Sequence, residues 1–117
     1  MANNKVENLL LQVLACGLSR VDSLEARSLH RLARQNLAVE ISRAEVVEMA
    51  MQPPALDRLA MEVRELGLGP QAVLLSIRAL GGDRAAARVF QDDLAEWLVM
   101  LPTEYRALRE EGTRLVA

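Results

Sequence analysis

The chain has 117 residues, room for one domain at roughly 150 residues each, and its 51% hydrophobic against 26% charged content excludes a disordered polymer. Fourteen basic residues against sixteen acidic ones leave a net charge of −2, which excludes the basic excess of a dedicated nucleic-acid binder. A single Cys excludes an internal disulfide and a cysteine-pair zinc site, and one His with 3% aromatics leaves little for catalysis or stacking, so neither an enzyme nor a cofactor is expected.

The first predicted helix covers residues 4–17, where Val6, Leu9, Leu10, Val13 and Leu14 recur at three-and-four spacing and Gly17 closes the segment. Leu11 and Leu18 widen its stripe, so it is expected to be well buried. The apolar run 9–18, broken by Gln12, is about half the roughly 20 residues of a membrane span, and residues 1–8 do not read as a secretory leader. The expectation is a soluble, cytoplasmic chain or the soluble part of a membrane-associated protein, with no direct membrane insertion. Asp22 and Glu25 read as a capping box for a second helix over 23–37, with Leu29, Leu32, Ala33 and Leu37 inward. Ser42 and Glu45 repeat that device before a short third helix, 43–51, inward through Val46, Val47 and Ala50.

Between Pro53 and Gly67 the pattern is the cleanest in the chain, with Leu56, Leu59, Ala60, Val63 and Leu66 on one side and Asp57, Arg58, Glu62 and Glu65 on the other, as in a surface helix. Pro70 suits the first turn of a fifth helix, 71–80, apolar around most of its circumference and therefore central. Asp83 is placed to cap a sixth helix to about residue 100 that buries Phe90, Leu94, Trp97, Leu98 and Leu101 and exposes Arg88, Asp92 and Glu96. A seventh follows Pro102, with Tyr105 and Leu108 inward, and frays near Gly112. No window alternates as a strand, so the prediction is a single compact all-α domain of about seven helices. Residues 9–17 (LLLQVLACG) and 73–81 (VLLSIRALG) echo one another at an offset of 64, each leading through glycine into an amphipathic helix.

Residues 45–111 run from a helix that begins with Pro54 to Ala60, closing that opening on Leu59-Ala60, through the apolar 73–80 and the turn at Gly81 to Asp83, to an amphipathic 88–95 with Phe90 in an aromatic place, then Leu101-Pro102. This succession resembles the C-terminal domain of the YebE-like family of bacterial proteins (domain of unknown function 533), which has the tellurite-resistance TerB-like helical fold. That fold carries an Ala-Asp-Gly signature followed by acidic positions, echoed by Ala15-Cys16-Gly17 and then Val21 to Glu25, with Cys16 where the aspartate belongs. The resemblance implies metal-binding turns, of which Asp22, Glu25 and Asp83 are the carboxylates left. A hard cation takes six or more oxygens, so the expectation is the fold without the ion. The function implied is a protein-contact module in a stress or envelope setting. The alternative is a divalent-cation-binding domain linked to tellurite or stress resistance.

Arg27, Arg31 and Arg34 fall at i, i+4, i+7 and form either a solvated face or a surface for a protein partner; without interleaved aromatics, nucleic acid is not expected. A protein partner or self-association is the partner expectation. Cys16 reads as a small buried hydrophobe, with a thiol sensor or enzyme pairing it with His30 as the rival. His30 sits at the margin of a buried face, Trp97 reads as packing, and Met49, Met51 and Met61 include at least one side chain off the apolar face, a potential soft contact.

Overall fold

The computed structural model describes residues 4–21, 25–37, 42–82 and 84–116. Among these described residues seven helices follow in order: α1 (Asn4–Val21), α2 (Ala26–Asn36), α3 (Arg43–Met51), α4 (Leu56–Glu65), α5 (Gly69–Leu80), α6 (Ala85–Trp97) and α7 (Pro102–Val116). No strand occurs among the described residues. The radius of gyration, 13.1 Å, is that of one globular domain of this length. The all-α reading therefore holds.

Burial explains the order. Helix α5 is the hub: Ala72, Val73, Leu75, Ile77 and Leu80 are buried, and α1, α2, α4, α6 and α7 all pack on it. Helix α1 supplies the second half of the core through Leu11, Val13, Leu14 and Ala15, each at most 1% exposed. Helices α2, α4 and α6 each lay one apolar stripe on that pair.

Gly17 does not end the first helix. Helix α1 runs on to Val21, because a Cβ at position 17 would lie 2.6 Å from Leu80 Cδ1 and 2.7 Å from Phe90 Cε2. The glycine is there for close approach, not for a turn. Gly81, its counterpart in the internal echo, does end α5, at φ 89°. Gly112 corrects a second expectation: α7 passes through it without fraying, and a Cβ there would meet Ile77 Cγ2 at 2.7 Å. This seats α7 on α5.

Helices α4 and α6 end alike. Gly67 N–H donates to Arg64 C=O and Leu68 N–H to Val63 C=O, and Val99 N–H donates to Glu96 C=O and Met100 N–H to Ala95 C=O. The left-handed residue is glycine in the first (φ 69°) and valine in the second (φ 54°). Trp97, Val99 and Leu101 around that second turn are 53%, 68% and 61% exposed, so Trp97 and Leu101 do not join the core as expected. Leu98 and Met100, which alternate with them, pack into and against the core, so the turn presents one side to the body and the other to solvent. Leu66, 43% exposed, is displaced in the same way at the end of α4.

The caps agree in part. Ser42 is the N-cap of α3, its hydroxyl accepting from Glu45 N–H at 3.2 Å. The N-cap of α2 is Glu25 itself, without a side-chain bond, and that of α6 is Arg84. The capping roles expected of Asp22 and Asp83 fall on aspartates that lie outside the described residues.

One buried polar cluster locks α7 to the α5–α6 turn. Gln91, fully buried, donates through Nε2 to Gly81 C=O (3.1 Å) and accepts at Oε1 from Arg109 Nη1 (2.8 Å). Arg109 Nη2 donates to Gly82 C=O at 2.7 Å, and its Nη1 also reaches Tyr105 Oη, which in turn donates to Asp92 Oδ1. Burial, then the Asp92 bond, pushes the Tyr105 phenol up to about 12, with Arg109 pulling the other way.

Candidate interaction surface

Helix α3 carries apolar side chains around much of its circumference, interrupted by Arg43 and by Glu45 and Glu48. Val46 is 1% exposed and packs into the core, with Met49 partly buried beside it. On the other side Ala44, Val47 and Met51 face solvent, Val47 being 39% and Met51 78% exposed, so Val47 does not point inward as its spacing suggests. Here α2 and α1 cover one side only.

The uncovered side forms a shallow apolar depression of about 620 Å³ lined by Arg43, Ala44, Val47, Glu48, Met51 and Gln52. Its chemistry is that of a contact surface: aliphatic and thioether groups at the centre, one cation and one carboxylate at the edges. A neighbouring cleft of about 290 Å³ between α1 and α3 is lined by Asn8, Gln12, Glu45, Glu48 and Gln52 among others. It presents carboxylates and carboxamides, and Gln12 Nε2 donates to Asn8 Oδ1 at 2.7 Å. Among the described residues, neither recess brings a hydroxyl, thiol or imidazole to its lining.

The residues singled out by sequence are dispersed. Arg27, Arg31 and Arg34 lie on one exposed face of α2, and among the described residues none joins an ion pair. Glu25 is exposed at the start of α2. With Asp22 and Asp83 outside the described residues, no group of three metal-ligating side chains is assembled among the described ones. Cys16, expected at the end of a helix, sits inside α1 at 2% exposure. Burial pushes its thiol up, against a smaller opposing pull from Arg20. His30 is half-buried on α2, as expected of a boundary residue, and no hydrogen bond joins it to Cys16.

From sequence, Val47 reads as inward-facing, Ala44 is not singled out, and Met51 stands only as one of three methionines. The available signal was in α3 itself, where apolar residues spread well beyond a single stripe. Gln91 was also missed; its signal is an amide in core register between Ala87, Phe90 and Leu94. No helix among the described residues is long and apolar enough to cross a membrane. Compared with known protein families, curated proteins and solved structures, the chain gives no significant match.

Proposed function

We propose that this chain is a non-enzymatic helical module that works by protein–protein contact, and that the contact runs through the outward face of α3. The observation that carries the reading is the exposed apolar row Ala44, Val47 and Met51 on a helix whose opposite side is already committed to the core. We read the module as a relative of TerB-like domains with most acidic metal ligands replaced. The support for that is the unbroken run at 45–111, whose pieces fall in α4, α5, α6 and the Leu101-Pro102 entry to α7. The exposed Arg27, Arg31, Arg34 row on α2 offers such a partner a second, charged region.

The test compares immobilised wild-type protein with a Val47→Asp/Met51→Glu variant of matched thermal stability as bait. A protein or second copy held by the first and released by the second supports the reading. Equal retention by both baits contradicts it.

A further inference from the structure

Building on the contact reading above, we infer that the occupant of the α3 face is the α3 of a second copy, the two helices lying parallel about a two-fold axis. At about 100° per residue, Ala44, Val47 and Met51 fall within an arc of roughly 60°. Arg43 lies about 70° to one side of that arc's centre and Glu48 about 70° to the other. The apolar row therefore has a cationic flank and an anionic flank, and both residues line the same depression.

This arrangement selects an orientation. In an antiparallel pair like flanks meet, setting Arg43 against Arg43 and Glu48 against Glu48. In a parallel pair opposite flanks meet, and Arg43 of each copy faces Glu48 of the other. The axial offset is five residues, about 7.5 Å, which a long arginine side chain spans. Val46, on the core side, points away from the axis, so the two domain bodies lie on opposite sides and do not collide. Ala44, Val47 and Met51 then occupy the seam as a short coiled-coil contact. A nine-residue helix supplies less than the total of about 1,200 Å² at which standard interfaces begin, so the pair belongs to the weak class.

Sedimentation equilibrium of the full chain from about 10 µM to about 1 mM tests this. Wild type shifts from monomer to dimer across that range, and Met51→Glu stays monomeric. Arg43→Glu weakens association roughly tenfold, and the charge-swapped Arg43→Glu/Glu48→Arg variant recovers it. All three side chains are exposed, so circular dichroism melts serve as a folding control. Orientation is read by oxidation: Met51→Cys links to itself, and a mixture of Ala44→Cys and Met51→Cys gives no mixed product. Cys16 is buried and takes no part. A wild type monomeric at about 1 mM overturns the pairing, as does a dimer indifferent to Met51→Glu or one that gives the mixed disulfide. Retention of a different protein dependent on Val47 and Met51 would in those cases leave the contact reading standing. Its loss would remove both.

Discussion

Gly17→Ala tests the packing at the centre of the bundle, because the local and tertiary effects have opposite signs. Alanine in a helix interior is favoured over glycine by about 1 kcal/mol, so an unobstructed substitution in α1 would stabilise the protein. The added methyl here would stand 2.6 Å from Leu80 Cδ1 and 2.7 Å from Phe90 Cε2, about 1 Å inside ordinary contact. Leu80 is 4% and Phe90 1% exposed, so neither has solvent to move into. Overpacking of this kind costs about 1–3 kcal/mol, and a clash with two enclosed side chains belongs at the upper end. The net expectation is a loss of about 1–2 kcal/mol. Urea unfolding followed by far-ultraviolet circular dichroism measures it as a lower midpoint at unchanged slope. In a Leu80→Ala background one of the two clashes is gone, and the penalty of Gly17→Ala should shrink by at least about 0.5 kcal/mol. A Gly17→Ala protein as stable as wild type, or more so, would refute the close approach of α1 to α5 and α6.

Arg109→Met keeps the aliphatic stem but strands Gln91 Oε1 and Gly82 C=O, and should cost about 2 kcal/mol, with faster amide exchange in α7 than elsewhere. Tyr105 should titrate, by near-ultraviolet absorbance, near 12 instead of its ordinary 10; a midpoint at the ordinary value would contradict the Asp92 bond. Because the folded state favours the neutral phenol, this contribution to stability is complete below about pH 10 and is lost as pH rises from there towards 12. Cys16 should resist a disulfide reagent at mildly alkaline pH until denaturant is added, since burial keeps the thiol protonated and enclosed; rapid labelling of the native protein would revive the sensor reading.

Helix identity was legible because the apolar spacing of α4, α5 and α6 is set by the two faces each helix must present, and that requirement is local. What glycine does was not legible. Gly17 and Gly112 read as breaks, yet their role is decided by Leu80, Phe90 and Ile77, which come from other parts of the chain. Trp97 and Leu101 kept core spacing in sequence but flank a left-handed turn at Val99, a conformation a β-branched residue does not announce. The candidate surface was half legible: α3 showed apolar residues on more than one side, but which side meets the core depends on where α2 and α1 lie. The Gln91–Arg109 pairing joins residues eighteen apart through the α6–α7 turn, and only the position of an amide within an apolar stripe hinted at it.

The pairing of α3 with the α3 of a second copy is tested most directly by a dilution series of amide NMR spectra on the wild-type chain, from about 1 mM downwards, with each cross-peak assigned. The account predicts concentration-dependent shifts concentrated at Arg43, Ala44, Val47, Glu48 and Met51, and absent from the same series on Met51→Glu. Shifts centred on another helix, or spectra unchanged throughout, would contradict it.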